Sequence, residues 1–255
     1  MNRLNFIFSI FAPWIACQSV GATTFSDIGE HVDEPIRHYQ IEENEQAETG
    51  LYGVEAIVSW RSEYVYRGFD LAGSTTEFQL LAQWGLSDKD SLDVGVYFGS
   101  ETGSGDFSEF TAFAAYTRAL GKYSYSAELA FHEYGDSFFE SGVDLNLGVS
   151  YHVNDLFDVE ASLSYDTGAE GFYFESKVSY YEEVNEDSYV MLDAGISLVD
   201  DYYGRTGFNH AFAKLSYTYN INDSVSLSPY LTTIFGIHDE ADSHVIGGAY
   251  FAVSF

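Results

Sequence analysis

The chain has 255 residues, of which 46% are hydrophobic and 18% aromatic, and its formal net charge is −30. The hydrophobic share excludes a disordered chain, and the negative charge excludes nucleic acid as a partner. Tyr and Phe number 21 each, whereas there are two Met and three Pro, a balance that favours strands over helices. Composition therefore indicates an all-β protein.

Residues 1–22 have the pattern of a secretory signal peptide. Residues 4–16 are a mostly apolar run after the positive Arg3, and Ala22 ends a small-residue cleavage site. The run is too short for a membrane-spanning helix. Cys17 is the only cysteine and would leave with the signal; its acylation as a lipoprotein anchor is the alternative. We therefore expect an exported chain without disulfides.

Residues 23–50 form an acidic segment without periodicity. The segment contains eight acidic residues, and Arg37 is its one basic residue. This charge imbalance predicts a flexible segment in the periplasm. The alternative is that the segment plugs the interior of the fold that follows it.

Residues 51–255 repeat an alternation of apolar and polar residues to the end of the chain. In the clearest case Val143, Leu145 and Leu147 alternate with polar residues, which is typical of a strand with one apolar face. We count about twelve such strands, with about 10–14 possible. The predicted strands lie near residues 52–63, 77–84, 92–99, 108–119, 123–134, 142–152, 157–166, 172–181, 188–199, 209–219, 224–236 and 245–255.

The links between the predicted strands alternate in length. Tight turns such as residues 120–122 alternate with longer acidic and Gly-rich links, such as residues 69–75 and 200–208. This alternation is typical of a transmembrane up-and-down antiparallel β-barrel. In lipid such a sheet must close, because no strand edge can stay unpaired. A soluble β-sandwich would also alternate, but it does not explain bulky residues on one face of so many strands.

The last predicted strand ends on an aromatic residue. Phe251 and Phe255 lie on its apolar face, and Gly248, Tyr250 and Ser254 lie on the other face. This end resembles the closing strand of bacterial outer-membrane barrels, whose terminal Phe serves as an assembly signal. The resemblance implies the outer membrane of a Gram-negative bacterium, with membrane lipids and the barrel-assembly machinery as partners.

The polar face of the predicted barrel is rich in charged residues. Because acidic residues outnumber basic ones there, a lumen lined by this face should favour small cationic or neutral solutes that pass by diffusion. The alternative is a filled barrel in which the charges pair, acting as a structural or adhesion protein through acidic outer loops. The lumen and constriction candidates are Glu55, Arg61, Glu63, Arg67, Glu77, Asp93, Glu109, Glu128, Asp144, Glu160, Lys177, Asp193 and Lys214.

Arg61 and Arg67 are predicted to point inward from the first strand, beside Glu55 and Glu63. Guanidinium groups ordered by carboxylates could form a constriction in the lumen. An ion-pair ladder that only holds the wall is the alternative. The two arginines are therefore candidates for function and for stability alike.

The residues around Arg67 resemble a known family. Residues 62–68 read Ser-Glu-Tyr-Val-Tyr-Arg-Gly, which is similar to the Ser-x-Tyr-x-Phe-Arg-Gly stretch of the TorF-type outer-membrane porins. The family continues Ile-Ser-Gln-Thr, whereas residues 69–72 here are Phe-Asp-Leu-Ala. The resemblance covers this stretch and the general architecture. It implies a porin-like role and a special position for Arg67.

The sequence predicts no enzyme, cofactor or metal centre, since phosphate loops, zinc-ligand spacings and nucleophile elbows are missing from it. A hydrolase at the outer rim is the third hypothesis, because acidic residues and a histidine could gather there. Acidic loops are more often solvated or bind divalent cations loosely. The rim residues in question are Asp200, Asp201, His210, His238, Asp239 and His244.

Overall fold

The computed structural model describes residues 50–255. The predicted signal peptide, residues 1–22, and the acidic segment as far as residue 49 lie outside the described residues. In the part that is described, no helix is long and apolar enough to cross a membrane. The described residues form strands that are joined by turns and loops.

Fourteen strands follow one another in the described part of the chain. They are β1 (Gly50–Arg61), β2 (Tyr64–Tyr66), β3 (Phe69–Ala72), β4 (Thr75–Gly85), β5 (Asp90–Glu101), β6 (Ser108–Leu120), β7 (Tyr123–Gly135), β8 (Gly142–Asn154), β9 (Phe157–Asp166), β10 (Gly171–Asn185), β11 (Ser188–Tyr202), β12 (Arg205–Asn222), β13 (Val225–Gly236) and β14 (His244–Ser254). β1 and β4 to β14 form one closed antiparallel barrel, in which β14 pairs with β1. The predicted up-and-down barrel of about twelve strands is confirmed.

Side chains alternate between the outer face and the interior along the barrel strands. In β4, Glu77 and Gln79 are 2% and 3% exposed, whereas Phe78 and Leu80 are 44% and 41% exposed. Charged and amide groups would cost free energy in lipid, so the apolar side chains take the outer face. The outer surface of the barrel is therefore apolar and its inner surface is polar.

β14 has the predicted register at the end of the chain. Tyr250 and Ser254 are buried inside the barrel, and Phe251 and Phe255 lie on the outside with 42% and 74% of their surface exposed. The backbone N of Phe255 lies 2.9 Å from the carbonyl O of Val54 in β1. The last residue of the chain thus takes part in closing the barrel.

The first barrel strand is shorter than predicted. β1 ends at Arg61, so the prediction that Glu63 and Arg67 continue this strand is wrong. After β1 the chain turns into the barrel, and residues 64–66 are all at most 2% exposed. A segment that is buried on both sides shows no alternation, which is why the period-2 pattern did not mark its boundary.

β2 and β3 form a hairpin that pairs with itself and not with the barrel wall. Tyr66 pairs with Phe69, and between them Arg67 and Gly68 have φ angles of 50° and 76°. Positive φ at both positions is the type I′ turn that suits a two-residue hairpin. Residues 69–72, predicted as part of an outer loop, are thus strand β3. We call Tyr64–Ala72 the lumen hairpin.

The predicted loop at residues 200–208 is also mostly strand. β11 continues to Tyr202 and β12 begins at Arg205. The turn between them consists of Tyr203 and Gly204, with φ angles of 47° and 82°. The polar and Gly-rich composition of this segment suited a loop, but a tight type I′ turn has the same composition.

A β-bulge in β12 turns two consecutive side chains inward. The register of β11 and β12 shifts at Ser197, so that Asn209 and His210 both lie opposite it. Both side chains are fully buried, with 0% exposure. Regular alternation would have placed one of them on the lipid face. The bulge therefore adds a polar side chain to the interior.

Gly248 faces inward, and the side chain of Tyr230 closely approaches its backbone. Tyr230 of β13 lies directly opposite, and a Cβ added to Gly248 would come 2.3 Å from the Tyr230 hydroxyl oxygen. The Tyr230 ring stacks on Tyr250, with ring centroids 4.7 Å apart. Glycine is needed at this position because the tyrosine ring lies across its backbone.

We expect Gly248→Val to destabilise the barrel by about 1–3 kcal/mol, because the added side chain overlaps the Tyr230 ring. Gly247 is the matched control, since a Cβ there has no atom within 4 Å, and Gly247→Val should change stability by about 0.5 kcal/mol or less. Urea unfolding in detergent micelles measures both variants. Equal stability of the two would contradict the packing described above.

Candidate functional site

The lumen hairpin crosses the interior from one wall to the other. The hairpin follows β1. In the barrel of twelve strands, β8 is the fifth strand from β1 in one direction and β10 is the fifth in the other, so both lie opposite β1. Arg67 Nη2 lies 2.8 Å from Asp144 Oδ2 on β8. The Arg67 guanidinium also lies 4.9 Å from the ring centroid of Tyr173 on β10. The tip of the hairpin therefore reaches the far wall.

Arg67 lies in a cage of aromatic rings and acceptors. Its guanidinium is 5.0 Å from the ring centroid of Tyr66 and 5.4 Å from that of Tyr202, besides Tyr173. Its Nη1 donates to Tyr202 Oη at 2.8 Å, and that hydroxyl donates to Asp166 Oδ2 at 3.0 Å. Arg67 is 1% exposed. Cation–π contacts and charge-assisted hydrogen bonds therefore hold one guanidinium group away from water.

The backbone of the hairpin tip is bound by residues of β12. Asn209 Nδ2 donates to the carbonyl O of Arg67 at 2.7 Å, and Arg205 Nη1 donates to the carbonyl O of Gly68 at 2.9 Å. A Cβ on Gly68 would come 2.5 Å from His210 Nδ1, so the bulge and the glycine fit each other. Sequence reasoning missed Asn209 and Arg205, because neither follows from strand alternation.

A second set of contacts holds the first strand of the hairpin. Tyr64 Oη donates to Glu109 Oε2 at 2.6 Å, and Thr111 Oγ1 donates to Glu109 Oε1 at 2.9 Å. His132 Nδ1 lies 3.3 Å from Glu109 Oε1, and its Nε2 lies 3.6 Å from Asp144 Oδ2. Glu109 and Asp144 thus belong to one polar network beneath the hairpin.

Aromatic side chains from several outer connections pack on the hairpin. Phe139 stacks on Tyr203 with centroids 4.1 Å apart, and Phe69 meets the edge of Phe139 at 5.4 Å. Such pairs add to the apolar area that they bury. The buried members of this cluster are Tyr64, Tyr66, Phe69, Ala72, Phe107, Phe139, Tyr173, Val199 and Tyr202.

Arg61 is bound to the neighbouring strand. Its Nε lies 2.6 Å from Glu77 Oε1 and its Nη2 donates to Glu77 Oε2 at 2.9 Å. Ser59 Oγ donates to the same carboxylate at 2.8 Å. Arg61 thus forms a bidentate ion pair with Glu77 of β4, which lies outside the predicted first strand.

A small cavity of about 40 Å³ lies beneath the hairpin and is partly open to solvent. Val65 of the hairpin lines it together with charged residues and with the stacked Tyr230 and Tyr250. Lys214 Nζ lies 4.7 Å and 5.0 Å from the centroids of those two rings. The charged residues that line the cavity are Arg61, Glu175, Lys177 and Asp193.

Most of the predicted lumen residues lie in the interior, and their role in transport stays a prediction. Glu160 and Lys177 form a partly buried ion pair, 3.5 Å apart. Glu63 lies at the outer end, with 31% of its side chain exposed. The predicted residues that are at most 5% exposed are Glu55, Arg61, Arg67, Glu77, Asp93, Glu109, Glu128, Asp144, Asp193 and Lys214.

Glu63, Asp70 and His244 form a cluster beside the hairpin. Glu63 Oε1 lies 2.9 Å from His244 Nδ1, and one ligand atom from each of the three residues lies within 4.8 Å of the others. Partial desolvation, reinforced by the nearby Glu63 carboxylate, raises the pKa of Asp70. One imidazole and two carboxylates could hold a divalent cation, a possibility that the sequence suggested only for acidic outer loops in general.

The histidines of the hypothetical rim hydrolase lie in separate surroundings. His210 is buried against Gly68, and His244 contacts Glu63. His238 Nδ1 accepts a hydrogen bond from the backbone N of Glu240 at 3.2 Å.

No family model matches the chain, and no curated protein matches it. Several solved structures are similar in fold. An outer-membrane channel from Pseudomonas putida F1 has a TM-score of 0.55 at 10% identity, over 82% of this chain and 97% of that one. The KdgM porin has a TM-score of 0.52 at 9% identity, over 80% and 99%.

LpxR from Salmonella typhimurium is also similar, with a TM-score of 0.51 at 10% identity, over 78% of this chain and 99% of that one. At these identities the likeness establishes the fold alone. The chain has the fold of outer-membrane β-barrels.

We expect Tyr202→Phe to lower the free energy of unfolding by about 1–3 kcal/mol, because the variant removes the hydroxyl that joins Arg67 to Asp166 and keeps the ring. Tyr165→Phe is the control, since Tyr165 is 38% exposed on the outer face. Urea unfolding in micelles measures the difference. If Tyr202→Phe unfolds like the control, the hydroxyl does not contribute to hairpin binding.

Proposed function

We propose that the protein is a porin-like barrel of the Gram-negative outer membrane that passes small cationic or neutral solutes by diffusion. The observation that carries the proposal is a closed barrel with an apolar outer face and a charged interior that has an excess of acids. Such an interior is suited to polar solutes and attracts cations. The proposal assigns to the lumen hairpin the control of the outer opening.

The charge balance inside the barrel supports the cationic preference. Nine buried acids stand against four buried Arg and Lys residues in the described part of the chain, an excess of five when histidines are left out. Fixed charges in a narrow lumen act on a passing ion with little screening. The acids are Glu55, Glu77, Asp93, Glu109, Glu128, Asp144, Asp166, Glu175 and Asp193, and the bases are Arg61, Arg67, Arg205 and Lys214.

The hairpin is suited to be a movable part. It forms its own two-stranded sheet, so its withdrawal would break no strand pairing of the barrel. Arg61 pairs with Thr75 at the ends of β1 and β4, and the hairpin enters and leaves the lumen between these two residues. Side-chain contacts with the barrel wall, rather than strand pairing with it, determine its position.

A filled structural barrel is the second candidate function, and the same hairpin supports it. Tyr64, Tyr66 and Arg67 are at most 1% exposed, as in a packed core. The stretch of residues 62–68 that resembles the TorF-type porins includes the hairpin tip. Membership of that family is a proposal that rests on this stretch, and a conductance measurement separates the two functions.

Deleting residues 64–72 should increase the conductance of the barrel. Because Arg61 pairs with Thr75, the remaining residues 62, 63, 73 and 74 suffice as a four-residue hairpin loop. We expect planar-bilayer recordings to show steps at least about twofold larger than those of the wild-type protein, with a reversal potential that favours cations.

The control for this deletion removes residues 103–105 from another outer loop and should leave the step size unchanged. A barrel that folds but passes no current even without the hairpin would overturn the channel proposal and support the filled barrel. Steps with a preference for anions would overturn the proposed selectivity.

Asp193→Asn should reduce the preference for cations, because Asp193 lines the cavity beneath the hairpin. The loss should be larger at about 0.1 M salt, where the screening length is about 10 Å, than at about 1 M salt, where it is about 3 Å. Asp239→Asn, an exposed residue of an outer loop, is the control. Reversal potentials across a salt gradient give the ratio of cation to anion permeability. An equal effect of both variants on this ratio would contradict a role of the cavity.

A further inference from the structure

We infer that the wall opposite the hairpin tip is a binding site for the guanidinium or alkylammonium group of a solute, and that Arg67 is a tethered occupant of this site. The wall site consists of Asp144, Tyr173 and Tyr202, with Asp166 behind Tyr202. The inference rests on the proposed function only in taking the lumen as the route of the solute. It assigns a substrate class, organic cations, to that route.

The contacts of Arg67 are those of a bound ligand. Its guanidinium is 2.8 Å from an oxygen of Asp144 and 2.8 Å from Tyr202 Oη. The rings of Tyr173 and Tyr202 lie 4.9 Å and 5.4 Å from it. A carboxylate, a hydroxyl acceptor and aromatic faces around one cation form the aromatic cage that recognises organic cations.

The wall residues have support that is independent of the hairpin. Tyr173 Oη donates to Glu175 Oε2 at 2.6 Å, and Tyr202 Oη donates to Asp166 Oδ2 at 3.0 Å. The strands that carry them, β8 to β11, pair with one another in the barrel wall. Withdrawal of the hairpin would therefore leave a preorganised site, from which only the Tyr66 ring is lost.

The charge of the wall favours a cation. Asp144 and Asp166 are 3% and 5% exposed, and Glu109 belongs to the same network through His132. Removing the partner of a buried carboxylate is strongly unfavourable. A guanidinium is weakly hydrated and stacks on aromatic faces, so it replaces Arg67 at a lower cost than a strongly hydrated metal ion.

The conformation of the turn indicates that the role of Arg67 lies in its guanidinium group and not in the turn. Arg67 has φ of 50°, in the left-handed region that Gly and Asn adopt more readily than other residues. Asn before Gly68 would make the preferred type I′ turn. Arg67 is less suited to this turn than Asn would be, but its guanidinium fits the aromatic cage on the far wall.

The same preference provides a test variant that favours folding. Arg67→Asn removes the guanidinium and leaves an Asn-Gly turn. We expect the full-length variant, in detergent micelles, to bind ethylguanidinium at least about tenfold more tightly than the wild-type protein, because the tethered competitor is gone. Isothermal titration measures the binding, and ethylurea, a neutral molecule of the same shape, should bind at least about tenfold more weakly.

Asp144→Asn in the Arg67→Asn background should weaken ethylguanidinium binding by at least about tenfold, whereas Asp239→Asn, on an outer loop, should have no effect. Equal binding by wild-type protein and Arg67→Asn would overturn the inference, and so would equal binding of ethylurea. If Arg67→Asn does not fold, Arg67→Gly removes the guanidinium with a Gly-Gly turn and is tested in the same way.

The titration does not depend on conduction, so its failure is distinct from a failure of the channel proposal. If the barrel binds ethylguanidinium but does not conduct, the proposed binding site is supported and the channel proposal is overturned. If the barrel conducts but the wild-type protein and Arg67→Asn do not differ tenfold in binding, the channel proposal is supported and the binding site is overturned.

Discussion

Closure of the sheet is the constraint on which the rest of the structure depends. Lipid offers no hydrogen bonds to the backbone, so the edges of β1 and β14 must pair with each other. Closure creates an interior that lipid never contacts. Charged residues can lie there at low cost because they meet polar partners, as Arg61 meets Glu77. The polar interior of the barrel is therefore a consequence of its apolar exterior.

The strand pairing of the closed wall is regular, but it does not determine where the hairpin lies in the interior. Side-chain contacts determine its position, and many of them involve Arg67. The Arg67 guanidinium contacts β8, β10 and β11, and so connects these strands to the hairpin that follows β1. In the proposed channel, the strength of that connection relative to competing cations and water would determine whether the lumen opens.

The barrel was predictable from the sequence, because contact with lipid imposes an alternation that the residues record. β8 and β14 were placed to within a few residues, and the inward side of Tyr250 followed from the same alternation. The hairpin and the bulge were not predictable in this way. Residues 64–66 and Asn209 are packed by neighbours distant in sequence, and such packing leaves no periodic pattern. Arg67 was expected inside the barrel, but on β1 and not on a separate hairpin.

The contacts of the hairpin tip also have a consequence for assembly. Arg67 is separated by 135 residues from Tyr202 and by 142 residues from Asn209, although it belongs to the earliest part of the barrel to be synthesised. Contacts of such long range form late, because the chain between them must be ordered first. The hairpin can take its place only when β8 to β12 surround the lumen. Docking of Arg67 therefore marks a barrel in which β8 to β12 are already in place.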